Sequence, residues 1–428
     1  MAVTADLIVD NADVVYTCAG DAPFAGARQR DAGPMPHASV ASARGVIVFV
    51  GDEAACRDTV TLASDGARID AQGRTLVPGF VDPHTHLVFA GDRRHELQQR
   101  LAGATYADIA ARGGGIVHTV AATRAASEHE LVAAALPRLA SMIACGTTTA
   151  EVKSGYGLDV VSELTTLRAI RALATAQPIE LVATFLGAHE IPVEFRSRRD
   201  AYVRLLVDEM IPAIARDHLA EWCDVFCENG VFTPAEARTI LQAGQRFGLK
   251  SRIHADELGL SGGSAVAADV GARSADHLIF IDEPHARAMV GAGVIATLLP
   301  AAAFFLKLGR FAPARLLIDV GVPVALATDI NPGGGFSPSM PFAMTLACFG
   351  MHMTLEEALV ASTANAAASL DLQGRVGSLE PGKQMDAVVI DGTLADIVRV
   401  GGPIIHRVIK RGRTVWPTGG MFPSSWSS

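Results

Sequence analysis

Two histidines separated by one residue, His84 and His86, close the stretch Leu76-Val77-Pro78-Gly79-Phe80-Val81-Asp82-Pro83. An apolar run rich in Val and Phe, marked off by Pro and Gly, reads as a buried strand. Alternate side chains on a strand share a face, so both imidazoles point the same way. Two neutral imidazoles converging at a strand end suit a borderline metal such as zinc or iron. Two unrelated loop histidines are the bland account of this pair, and residues elsewhere weigh against it. His254, His277 and Asp329 each end a further short apolar segment. His84, His86, His254 and Asp329 are the expected metal ligands, with room left for a water or hydroxide. A bound cation lowers the pKa of such a water to about 7. His277 is expected to hydrogen-bond that water or the substrate oxygen. Glu257, three residues after His254, is expected to shuttle a proton to a substrate nitrogen, so Glu257, His277 and Asp329 make up the catalytic set. A charge favoured by a helix N-terminus is the competing account of Glu257.

Composition bounds the partners. The chain has 428 residues, half of them hydrophobic, and a formal charge of −9. That length calls for one large domain and a smaller one. The modest acidity argues against nucleic acid, and no block of like charge suggests a binding tail. The first residues lack the basic-then-apolar layout of a signal peptide, and no apolar run approaches a membrane span. Six cysteines are scattered without a disulfide-dense pattern. Cys223 and Cys227 mimic half a zinc knuckle, but no second Cys/His pair lies near them, which favours buried free thiols. A cytoplasmic protein acting on a small molecule is the expectation, with no membrane partner. A homodimer is expected only from the general frequency of two-fold oligomers.

The elements that must position these residues follow a strand-then-helix rhythm. Eight strand segments are expected, at 76–86, 146–153, 179–186, 223–227, 251–254, 274–278, 294–299 and 322–329. Ser127-Glu128-His129-Glu130 is a capping box, Thr233-Pro234-Ala235-Glu236 adds a proline in the first turn, and Thr354-Leu355-Glu356-Glu357 opens another helix. Eight such units are the count of an α/β (β/α)8 TIM barrel, whose chemistry sits at the C-terminal strand ends. A doubly wound open sheet is the runner-up, without its Gly-rich fingerprint. Residues 1–74 and 376–417 are expected to form one small β-sandwich-like domain, with the barrel over 75–375 between them. Residues 17–44, dominated by Gly, Pro and Ala, read as a long surface loop, and 418–428 as a frayed tail.

The barrel, the split β domain and the His-x-His ligand set resemble the amidohydrolase superfamily of metal-dependent hydrolases. Members with two metals bridge them with a modified lysine at the end of the fourth strand. Here that strand ends in Cys227-Glu228, and Lys153 belongs to the second, which implies one metal per subunit, zinc or iron. Longer motifs narrow the resemblance: Glu151-Val152-Lys153-Ser154-Gly155-Tyr156-Gly157-Leu158, Gly187-Ala188-His189-Glu190-Ile191-Pro192, Asp329-Ile330-Asn331-Pro332-Gly333, Gly91-Asp92-Arg93 and Gly113-Gly114-Gly115-Ile116. These look like the imidazolonepropionase family of histidine degradation. That resemblance implies opening of 4-imidazolone-5-propanoate by water to N-formimidoyl-L-glutamate.

A propanoate tail wants a planar charged fork, which Arg93 can supply. The resemblance places Tyr156, His189 and Glu257 as further substrate contacts, and Asn331, Gly333 and Gly334 against the glutamate portion, with Tyr106 closing over the site. At Gly334 the family usually has a threonine, so one contact to the carboxylate is in question, although Ser337 lies close in sequence. The glycine run 333–335 lacks the following Gly-Lys-Ser/Thr of a phosphate loop. A mononuclear metal-dependent deaminase of a heterocyclic base is the alternative chemistry, distinguished by ammonia release. A barrel that has lost catalysis and serves as a scaffold should lack ligands, and this chain has the whole set.

Overall fold

The computed structural model describes residues 3–104 and 114–417. Tyr106, Gly113 and the expected tail over 418–428 lie outside the described residues. Eight strands form one sheet in chain order: β1 (Phe80–Asp82), β2 (Thr147–Lys153), β3 (Glu180–Ala188), β4 (Trp222–Cys227), β5 (Lys250–Ala255), β6 (Ser274–His277), β7 (Ile295–Leu298) and β8 (Val324–Leu326). Every neighbouring pair is parallel. The seam between β8 and β1 closes just beyond the strands. The Asp329 N–H donates to the His84 carbonyl at 3.1 Å, and the His86 N–H donates to that of Ile330 at 2.9 Å. The Asp82 carboxylate, fully buried, accepts from the Thr328 N–H at 3.1 Å and from its hydroxyl at 2.6 Å. This is the TIM barrel expected from the strand count, and its closing seam lays the His-x-His segment beside Asp329.

Helices pack around the strands and share one continuous core with them, in which Val152, Phe185, Val225, Ile253, Leu298 and Leu326 are buried. Capping boxes at Ser127, Thr233 and Thr354 start helices where their sequences predict. No helix among the described residues is long and apolar enough to cross a membrane.

The stretch 76–86 is not one strand. Thr75–Pro78 pairs antiparallel with Ala387–Ile390 and parallel with Val14–Tyr16, in a six-stranded sheet built from both chain ends. Gly79 is where the chain changes sheets. A β-carbon there would overlap the Thr148 side chain, and its N–H donates to the Asp386 carbonyl at 2.9 Å. His84 and His86 lie beyond β1, so the seam hydrogen bonds aim them rather than the pleat of a strand.

A four-stranded sheet, ordered Val46–Asp52, Ala38–Ala43, Val3–Asp10, Val60–Asp70, completes the small domain made by the N- and C-terminal segments. The expected loop over 17–44 is therefore corrected. Ala38–Ala43 is an inner strand and Pro34–Pro36 an edge strand. Ala and Ser, poor strand formers, hide a strand whose pairing comes from its neighbours on either side. Within the same stretch, the Phe24 N–H donates to Asn365 Oδ1 at 2.7 Å and Gln29 Nε2 to the Val324 carbonyl at 2.9 Å. That segment is packed against the end of β8 rather than lying on the surface.

Candidate metal centre and substrate cavity

At the C-terminal end of the barrel three imidazoles and one carboxylate face a common point. His84 Nε2 lies 3.2 Å from His86 Nε2, and His254 Nε2 lies 3.3 Å from the same atom. Asp329 Oδ1 stands 3.7 Å from His84 Nε2 and 3.5 Å from His86 Nε2. His277 also approaches, forming with His84 and His254 a second trio of potential ligand atoms within 4.8 Å of one another. His277 and Asp329 hold left-handed backbone, at φ +77° and +52°, uncommon for residues with a side chain. Such conformations persist only where the surroundings impose them.

Carboxylates behind the ring orient it. His84 Nδ1 is 2.7 Å from Asp276 Oδ2, and His254 Nδ1 is 3.1 Å from Asp224 Oδ1. Each Nδ1–H donates outward to its carboxylate, which leaves the Nε2 lone pairs aimed at one another. Burial is the main force holding His84, His86 and His277 well below the usual histidine range, so they are neutral. Lone pairs crowded like this repel unless a cation sits among them. Asp329 Oδ1 is buried and accepts no hydrogen bond among the described residues, and burial pushes this carboxyl up to about 7. Neutral nitrogens with an unsatisfied carboxylate oxygen are the donor set of a single divalent metal.

The carboxylates are themselves compensated. Lys153 Nζ reaches Glu151 Oε1 at 2.7 Å and Asp224 Oδ2 at 2.8 Å, all fully buried. Burial disfavours the Asp224 carboxylate, but His254 and Lys153 outweigh it and hold its pKa well below normal. Arg252 Nη2 meets Asp276 at 3.2 Å, while the Ser274 hydroxyl donates to its other oxygen at 2.7 Å. From sequence, Asp224, Arg252, Ser274 and Asp276 have no part here and Lys153 is weighed only as a bridge between two metals, although charged side chains inside Thr147–Lys153, Trp222–Cys227, Lys250–Ala255 and Ser274–His277 are a visible signal.

A cavity of about 640 Å³ opens from the ring, and His86, His254 and Asp329 line it while His84 is fully buried behind them. The structure brings Arg93, Tyr156, His189, Glu257, His277, Asn331, Gly333 and Gly334 to its walls. His189 stacks on His86 with ring centroids 5.0 Å apart, and its Nδ1–H donates to the Gly155 carbonyl at 2.9 Å. Burial, with His254 nearby, depresses the His189 pKa to about 3. The Tyr156 ring lies 5.2 Å from His189. Glu163 holds the Tyr156 segment by accepting the N–H groups of Gly157 and Leu158, both at 2.8 Å.

Glu257 Oε1 lies 3.6 Å from His277 Nδ1. Burial, then the charges of Asp329 and Glu228, raise the Glu257 pKa well above normal. Asn331 spends its amide on its own turn, accepting from Gly333 and Gly334 at 2.8 and 2.6 Å and donating to the Asp329 carbonyl at 2.8 Å. A β-carbon on Gly334 would meet Leu306 at 3.1 Å, so Leu306 occupies the space beside that glycine. Ser337 is not among the residues lining the cavity, whereas Arg100, Phe226, Leu306 and Lys307, unforeseen in the sequence, are.

An amidohydrolase family model matches residues 75–415. The imidazolonepropionase of Symbiobacterium thermophilum is 48% identical over 413 residues, covering 96% of this chain and 97% of that one. The imidazolonepropionases of Geobacillus kaustophilus and Myxococcus xanthus are 46% and 48% identical, covering 97% and 90% of this chain and 99% and 90% of theirs. Among solved structures, a triazine hydrolase variant matches at a TM-score of 0.72 with 17% identity, over 96% of this chain and 94% of that one. A zinc-bound adenosine deaminase from Xanthomonas campestris matches at 0.69 with 19% identity, over 97% and 93%, and identities this low speak for the fold alone. By family model and by relatives of nearly full length alike, this chain belongs to the amidohydrolase family and, within it, to the imidazolonepropionases.

Proposed function

We propose that this chain hydrolyses the cyclic amide of 4-imidazolone-5-propanoate to N-formimidoyl-L-glutamate, a step of histidine degradation. The observation that carries the reading is a single cavity joining the His84/His86/His254/Asp329 cluster to the buried guanidinium of Arg93. Those four residues would hold one cation, zinc or iron. Bound there, it would supply a Lewis acid that brings the pKa of water to about 7.

The chain's own groups do the rest. Arg93 pairs with the propanoate carboxylate and fixes the ring's approach. Tyr156 and His189 form a wall against which the flat ring is oriented. The bond between the carbonyl carbon and the ring nitrogen breaks as water is taken up, its oxygen going to the carbonyl carbon and a hydrogen to the departing nitrogen. Glu257 carries that proton, since burial and the neighbouring charges of Asp329 and Glu228 raise its pKa and favour its holding one. Neutral His277 donates a hydrogen bond to the carbonyl oxygen as negative charge builds there. Asn331, Gly333 and Gly334 bound the product's glutamate portion, with Leu306 beside them in place of a hydroxyl. We take the reaction to be cytoplasmic, a reading that the free cysteines, Cys223 and Cys227 among them, support.

The test is loss of the imidazolone chromophore on adding purified protein. We expect turnover without ammonia release, abolished by a chelator and restored by zinc or iron. Ammonia as a product, or a persistent chromophore with metal-loaded protein, would overturn the reading.

A further inference from the structure

Glu96 is 1% exposed and lines no part of the cavity, yet it touches two segments that do. One carboxylate oxygen, Oε2, accepts from Arg93 Nε at 2.9 Å and from Nη2 at 2.7 Å. The other, Oε1, accepts the Gly115 N–H at 2.7 Å. Gly115 sits at φ +77°, immediately before the helix Ile116–Ala125, whose first residue Ile116 is part of the cavity wall. On its far side the Arg93 guanidinium lies over Gly333, where a β-carbon would overlap it. The fork is thus held between a carboxylate and a bare backbone.

An ordinary helix-capping role does not describe this. Glu96 is three residues beyond Arg93, the residue before the helix Arg94–Leu101, where a capping carboxylate would reach back to the Arg93 backbone N–H. Its oxygens go instead to the Arg93 side chain and to a glycine nineteen positions away. A long, rotamer-rich side chain loses affinity for an anion unless something else has already ordered it. A buried carboxylate sharing one oxygen with two guanidinium nitrogens supplies that order through charge-assisted hydrogen bonds.

We propose that Glu96 is the positioning residue of the substrate-carboxylate subsite, orienting Arg93 through one oxygen and tying it to the Gly115–Ile116 wall through the other. The assignment rests on the proposed reaction, in which Arg93 receives the propanoate tail. Glu96 itself never meets the substrate. Its loss therefore weakens binding of the tail in ground and transition states alike, and KM moves while kcat stays near wild type.

The experiment is a double-mutant cycle in the metal-loaded enzyme with 4-imidazolone-5-propanoate as substrate. Glu96→Gln is expected to raise KM about tenfold with kcat within about twofold of wild type. Arg93→Met should raise KM by at least as much. The double variant should cost clearly less than the two single effects combined, because Glu96 acts chiefly through Arg93. An unchanged KM in Glu96→Gln, or effects that add in the double variant, would overturn the proposal. Should the Gln variant fail to fold, Glu96→Asp keeps the charge but shortens the reach, and the same rise or its absence decides. Wild-type enzyme that leaves the imidazolone ring intact would instead count against the proposed reaction, so the two failures are distinguishable.

Discussion

Glu257 takes its properties from its surroundings more than from its own type. Its backbone N–H donates to Glu228 Oε2 at 3.0 Å, and that of Leu258 to the same oxygen at 2.8 Å, so a second carboxylate fixes the turn that presents it. Burial and two neighbouring negative charges make the protonated form accessible, which a proton carrier needs. Gln at this position keeps the size and loses the proton chemistry. Glu257→Gln should retain its metal and lose turnover by about 10²–10⁴-fold, measured as metal content by elemental analysis beside kcat. Retained turnover in a metal-replete variant would reject the proton role. Glu257 was legible in the sequence because it follows His254 at short range. Glu228, which positions it, was not. A carboxylate whose work is to accept backbone N–H groups has no spacing rule that marks it before the chain is folded.

At the scale of the strand, β4 and β6 each contribute a buried aspartate that faces a candidate ligand histidine of another segment. Asp224 meets His254 on β5, and Asp276 meets His84 across the barrel interior. The alternation of strand and helix, the capping boxes and the residues that end β5 and β6 could all be read from local pattern. The pairing of His84 with Asp276 could not, since the two are 192 residues apart and only barrel closure joins them. Nor could the split at Gly79, where a continuous apolar run serves two different sheets and periodicity carries no sign of the change. Outer partners of this kind set the tautomer and basicity of a ligand imidazole. Asp276→Asn, nearly isosteric, should lower metal affinity about 10–100-fold, as equilibrium dialysis against a competing chelator would report. Affinity equal to wild type would mean that His84 needs no such partner.

Across the whole molecule, the barrel and the terminal domain meet at Glu180, the first residue of β3. Its Oε2 lies 3.1 Å from Arg411 Nη2 and 3.6 Å from Lys410 Nζ, and Gln384 Nε2 donates to it at 3.3 Å, while Arg375 pairs with its other oxygen. Lys410 is buried and also joins Asp386 at 2.7 Å, so one basic strand end links carboxylates of both parts. The Glu180 side chain is only 13% exposed. Burial works against its charge, but Lys410 and Arg375 prevail and hold its pKa below the ordinary glutamate value. A carboxyl depressed by folding stabilises the native state above its unfolded pKa of about 4.3, and that contribution disappears as pH falls through the lower folded value. Glu180→Gln should therefore lower unfolding stability by about 1.5–3 kcal/mol at pH 7, the scale of hydrogen bonds to charged groups. The gap to wild type should close as the solution is acidified below pH 4, because the wild-type carboxyl then becomes neutral too. Urea unfolding at the two pH values measures it. A gap that persists in acid would mean that the residue contributes by packing and that the charges across this junction are incidental.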